Sequence, residues 1–165
     1  MSRPPELPLV PQSAWTTTRD VTQVLRVSHG SRELTMQVAL SLRPEGDVLV
    51  ALGPFGQRVF TLRYDAAGVH AQTSPYVPQQ LPPRRVWADV QLALWPLDVW
   101  RHALAGGGWR LEVPRPGVRQ LFHGRRLVTE IRYDDGSDGW TGSFSLSDFA
   151  YGYTLQVRNE RPAHG

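Results

Sequence analysis

Few residues are of a type and spacing that could do chemistry, and each pattern stops short of a working site. Asp134-Asp135-Gly136-Ser137-Asp138-Gly139 opens like a calcium loop, with acids at relative positions one and five and glycine at six. Position twelve, where a bidentate Glu belongs, is Ser145, and the flanks alternate like strands. The segment reads as an acidic, glycine-rich hairpin turn. Of the histidines, His29 and His123 precede glycine in tight turns and His164 is in the tail. Only His102 falls on a predicted helix, and no two histidines have the four-residue spacing of a helical zinc motif. Gly142-Ser143-Phe144-Ser145 lies inside a strand pattern rather than at a nucleophile elbow. No phosphate-binding or dinucleotide glycine motif is present. The reading is of a non-enzyme with no catalytic residue, no metal ligand set and no cofactor.

The composition bounds what remains. A chain of 165 residues with 41% hydrophobic and 20% charged residues suits one domain with a real core. All 18 basic residues are Arg, against 15 acids, so the net charge is only +3. These arginines are scattered, the longest run being two, so nucleic acid is not an expected partner. No window approaches a membrane-spanning length, and the absence of cysteine excludes disulfide and thiolate-zinc scaffolds.

Residues 1–15 read as a proline-rich tether, because Pro4, Pro5, Pro8 and Pro11 favour extended conformation over a packed element. Two origins fit such a start: a cytosolic protein, or an exported one whose leader has been removed. Residues 16–158 form the single domain, and 159–165 a frayed tail.

Within the domain the dominant signal has period two. Leu34, Met36, Val38, Leu40 and Leu42 alternate with mostly polar neighbours, which describes a strand with one face buried. Further strands are predicted over 47–52, 58–64 and 68–72, and after the helices over 109–113, 118–122, 126–133 and 141–148, with a last strand from Tyr151. The buried face takes Met36, Val38, Leu40, Phe60, Leu62, Ile131, Phe144, Leu146, Tyr153 and Leu155.

Between the two sets, prolines at 75, 78, 82 and 83 break the pattern. A helix follows with Val86, Val90, Ala93 and Leu94 on one stripe, and Pro96 opens a second helix over 97–104. The fold class is therefore α+β and β-rich: a curved antiparallel sheet of about ten strands, a half-open barrel with two short helices as a plug over its concave face.

Trp87, Trp95 and Trp100 concentrate in this helical insert. Two readings stand. Aromatic residues at helical spacing pack a core, or they line an apolar space under the helices of the kind that holds lipid. On the second reading Met36, Phe60, Trp87, Leu94 and Trp100 line a cavity for a lipid or other hydrophobic small molecule. Arg84, Arg85 and Arg101 would then lie near its anionic headgroup.

The run Leu52-Gly53-Pro54-Phe55-Gly56-Gln57-Arg58-Val59-Phe60-Thr61-Leu62-Arg63-Tyr64-Asp65, with Leu81-Pro82-Pro83, Ala88-Asp89-Val90-Gln91-Leu92, Leu94-Trp95-Pro96-Leu97, Glu130-Ile131-Arg132-Tyr133 and Tyr151-Gly152-Tyr153, resembles a bacterial lipoprotein family of unknown function. Its members occur beside enzymes making aryl-polyene and fatty-acid products. More distantly, the strand–helix–strand order is similar to the lipoprotein localisation factors LolA and LolB. The resemblance implies a half-open barrel over an apolar cavity. It also implies export to the periplasmic face of the outer membrane, anchoring by a lipidated Cys just before Ser2, and a monomer. The expected function is non-enzymatic binding or carriage of an acyl chain, lipoprotein lipid or polyene lipid. The alternative is an interaction lipoprotein supporting an envelope assembly, its concavity filled by its own side chains.

Overall fold

The computed structural model describes residues 4–12, 18–75 and 82–160. The expectations for 13–17, for the proline-rich connection at 76–81 and for the tail beyond 160 lie outside the described residues. In chain order the elements are β1 (Arg19–His29), β2 (Arg32–Leu42), β3 (Asp47–Leu52), β4 (Arg58–Asp65) and β5 (Gly68–Thr73). Then come α1 (Pro83–Leu94), α2 (Leu97–Ala103), β6 (Trp109–Arg115), β7 (Val118–His123), β8 (Arg126–Tyr133), β9 (Ser143–Asp148) and β10 (Tyr153–Asn159).

All ten strands join one antiparallel sheet in the order β5-β4-β3-β2-β1-β10-β9-β8-β7-β6. Two meanders are zipped together where β1 pairs with β10, with Leu25 opposite Val157 and Val27 opposite Leu155. The sheet ends at β5 and β6 and does not close. Its period-two register puts every predicted inward residue in the core, from Met36, Val38 and Leu40 on β2 to Tyr153 and Leu155 on β10.

The helix α1 departs from the single apolar stripe read in the sequence. Nine of its twelve residues are buried, among them Arg85, Asp89 and Gln91. The reason is topological: the curled sheet wraps one side of the helix, and chain segment 4–12 covers another. That segment corrects the expectation of a free tether, because Leu7 and Val10 are fully buried.

Gln91 fixes the arrangement. Its Oε1 accepts from the Val10 amide at 3.0 Å and its Nε2 donates to the Val10 carbonyl at 3.1 Å, as a neighbouring strand would. The Tyr64 hydroxyl donates to the same carbonyl at 2.7 Å.

Around the end of α1, four carbonyls accept side-chain hydrogen bonds, Gln91 O in addition to the Trp95 amide. Trp100 Nε1 donates to Gln91 O at 2.7 Å, and Arg119 Nη1 to Leu92 O and Trp95 O at 2.8 Å each. The Tyr133 hydroxyl donates to Ala93 O. Gly139 packs so closely here that a Cβ on it would fall 2.9 Å from Ala93 O, and its φ of +89° also suits glycine.

Leu40 is 1% exposed and faces Leu49 across β2 and β3. Leu40→Ala is expected to lower stability by about 2–5 kcal/mol in denaturant unfolding. A loss below about 0.5 kcal/mol, the range of surface changes, would contradict the register.

Candidate functional site

The space beneath the helices is where the sequence placed a ligand. Trp87 and Trp100 are 0% exposed and Trp95 is 1% exposed. Tyr64, Trp87 and Trp95 follow one another at centroid separations of 5.6 and 5.7 Å, ordinary for packed aromatic rings. Met36, Phe60, Trp87, Leu94 and Trp100 all belong to this core.

Between α1 and the central strands the structure leaves a crevice of about 20 Å³, bounded by Val86, Val90 and Leu94 on the helix and by Leu25, Val38 and Leu155 on the sheet. Ligand pockets run about 300–1,000 Å³, whereas this crevice is of the size of one water. Leu94 borders the crevice; Met36, Phe60, Trp87 and Trp100 do not. His102 and Arg101 are exposed.

Arg85 is not the headgroup contact that sequence reasoning considered. It points inward, where Nη2 hydrogen-bonds Asp148 Oδ2 and, at 3.2 Å, Thr129 Oγ1. Asp89, one helical turn on, lies 3.7 Å from Arg85 Nε and accepts a hydrogen bond from the Tyr153 hydroxyl. The other Asp148 oxygen accepts from the Ala150 and Tyr151 amides and so builds the β9–β10 turn. One cation and two carboxylates thus share a buried site, with Arg85 Nε and Asp89 Oδ1 lacking hydrogen bonds.

Burial, joined by the charge of Asp148, raises the Asp89 pKa to about 7 against the pull of Arg85 and Tyr153. Burial and the Asp89 charge raise that of Tyr153 as well. Burial opposes the charge on Arg85, but Asp89, Tyr153 and Asp148 outweigh it and hold the guanidinium protonated. A perturbed carboxyl beside an arginine suits acid–base chemistry only where substrate can reach it. Asp89 and Asp148 are each 2% exposed, so the cluster fastens α1 to β8, β9 and β10. No hydropathy pattern marks it, since a buried Arg-x-x-x-Asp spells the same as a solvated helix pair.

A second feature arises from topology. Alternate hairpins of an antiparallel sheet fall at one end, which here collects the turns β1–β2, β3–β4, β7–β8 and β9–β10. Phe55 at the β3–β4 tip is 93% exposed and Phe149 in the β9–β10 turn is 51% exposed. His29, Arg32, Arg58, His123, Arg125 and Arg126 lie in or beside these turns; of the acids there, Asp148 is buried on Arg85 and Glu33 is paired with Arg26. The opposite end carries Glu45, Asp65, Asp134, Asp135 and Asp138. Residues 6 and 7 start at the basic end, where Arg84 holds Glu6 at 2.8 Å and the Leu7 carbonyl at 3.2 Å.

The native state holds the Asp89 proton more tightly than the unfolded chain, in which the carboxyl titrates near its ordinary 3.8. Unfolding therefore releases that proton, and stability falls as pH rises from about 4 to about 7, then levels off. Asp47, raised to about 6 by burial, adds to the lower part of this slope. Asp89→Asn keeps an acceptor for Tyr153 and is expected to flatten the slope between pH 5 and 7 (about the upper half of that window) in urea unfolding. An unchanged slope would mean that Asp89 is already ionised across it.

Comparison with known proteins adds the family. No curated protein matches the chain. Among solved structures it is similar to a DUF1329 family protein from Desulfovibrio piger, at 11% identity and a TM-score of 0.44, covering 93% of this chain and 89% of that one. A family described as a protein of unknown function, DUF3261, matches residues 20–161, which takes in every strand but the first residue of β1 and both helices. The chain belongs to the DUF3261 family.

Proposed function

We propose that this protein is a non-enzymatic envelope lipoprotein that works by surface contact at a membrane, with its concave face filled by its own side chains. One observation carries the reading: the crevice that the described residues leave between α1 and the central strands is about 20 Å³, less than a tenth of the smallest ordinary ligand pocket. An acyl or polyene tail carried inside would have to displace α1, whose flanks are held by Gln91, Arg119 and the Arg85 cluster. Between the two functions read from the sequence, this favours the interaction lipoprotein over the carrier.

The basic end is the surface that such a protein would present to a bilayer. Phe55 offers an apolar side chain at the interface, and each arginine near an anionic surface contributes about 1 kcal/mol at modest ionic strength. The lipid anchor implied by resemblance, on a Cys preceding Ser2, reaches the membrane from the same end, because the chain enters the domain there. Periplasmic residence at the outer membrane and a monomeric state complete the proposal.

Titration with cis-parinaric acid, followed through tryptophan emission, is expected to give no saturable signal; saturable micromolar binding would overturn the filled-core reading. Flotation with vesicles containing anionic lipid separately tests the surface. Binding is expected to weaken with salt, about fivefold in Arg58→Ser, and further in Phe55→Ser. Equal binding to neutral and anionic vesicles would remove the assigned role of the arginines.

A further inference from the structure

Among the described residues, a ligand-sized space lies on the outer face of the sheet. A trench of about 310 Å³ runs over β9 and β10, lined by Val24, Arg26, Asp134, Ser143, Ser145, Gln156 and Arg158 among others. Register explains its shape. Ser143 and Ser145 face outward from β9 and pair with Arg158 and Gln156 of β10, which in turn pair with Val24 and Arg26 of β1. On the other side Ser145 faces Arg132 of β8. Short serines flanked by long side chains on both neighbouring strands make a floor with walls.

The end of the trench is fixed rather than loose. Asp134 N donates to Ser143 O at 3.0 Å, and Asn159 Nδ2 donates to Gly139 O at 2.7 Å and to Gly142 O at 3.2 Å, tying the 134–142 loop to β10.

The lining chemistry is specific. Arg26 is engaged by Glu33 at 3.1 Å, and Arg132 by Glu130 at 2.6 Å. Arg158 makes no hydrogen bond or ion pair among the described residues, nor do the hydroxyls of Ser143 and Ser145. A free guanidinium beside two free, half-buried hydroxyls matches an oxyanion, which takes a forked pair from Arg and one bond from each hydroxyl. At the end of the same trench, Asp134 disfavours a second negative charge and accepts hydrogen bonds from hydroxyls.

We propose that this trench binds an anionic sugar, a single phosphate or carboxylate on a polyhydroxylated ring. The phosphate or carboxylate sits at Arg158, Ser143 and Ser145, and the ring hydroxyls reach Gln156 and Asp134. The site is independent of the filled core and of the basic hairpin end, since it occupies the opposite face of the central strands.

The test is an amide NMR titration of the folded protein with glucose 6-phosphate and glucuronate, with glucose and inorganic phosphate as separate arms. Saturable shifts are expected at Ser143, Ser145, Gln156 and Arg158 with at least one anionic sugar, and weaker ones with phosphate. Which of the two anionic sugars binds identifies the oxyanion. Arg158→Gln and Ser145→Val are expected to weaken binding roughly tenfold or more. As exposed or half-exposed positions they should leave the thermal midpoint near that of the parent. No saturable shift with either sugar, or undiminished binding in Arg158→Gln, would overturn the site. Inorganic phosphate binding as tightly as both sugars would overturn the sugar assignment.

Discussion

The fold depends on how an open sheet of ten strands disposes of its concave face. Gln91 is the residue through which this is done. Its side chain pairs with both backbone groups of Val10, and its carbonyl receives the indole of Trp100. One buried residue, through its side-chain amide and its carbonyl, therefore joins α1, α2 and the 4–12 segment. An apolar side chain of the same size would leave the Val10 amide without its partner in the core, a cost of about 1–3 kcal/mol before any packing is lost.

Around that hub the polar groups inside α1 are arranged by chemistry. Arginine and tyrosine donors on β7 and β8 meet the carbonyls at the helix end. Near its start, Arg85 meets two carboxylates and a threonine. Buried ion clusters add little to net stability, because desolvation offsets attraction. Their effect is on position: with Asp148 also building the β9–β10 turn, the helix has one seat in which its charges are matched. Burial, with the Asp148 charge adding to it, raises the pKa of Asp89 and makes the cluster sensitive near neutral pH.

With Trp87, Trp95 and Trp100 buried under the sheet, the features open to a partner among the described residues are on the outside. The two outer features are unlike one another. The hairpin end is basic with an exposed phenylalanine, and the trench over β9 is polar with serine at its floor. Both follow from strand register and direction rather than from any local motif. Antiparallel pairing puts alternate turns together, and period two puts the outward serines of β9 beside the outward arginine of β10.

The strands, the two helices and the inward face can be read from residue order alone, because alternation and proline placement act locally and burial enforces them. Met36, Leu40, Phe60, Ile131 and Leu155 were legible for that reason. The burial of Trp87, Trp95 and Trp100 was not legible, since a buried tryptophan and a ligand-lining tryptophan obey the same helical spacing. The docking of residues 4–12 was not legible either, because four prolines indicate backbone conformation but not whether Leu7 and Val10 find a groove to enter. Arg85, Asp89 and Asp148 were equally hidden: 63 residues separate Arg85 from Asp148, and nothing in the spacing of charges tells a solvated pair from a buried one. These burials emerge with the folded chain, because depth from solvent depends on how the sheet curls around its helix.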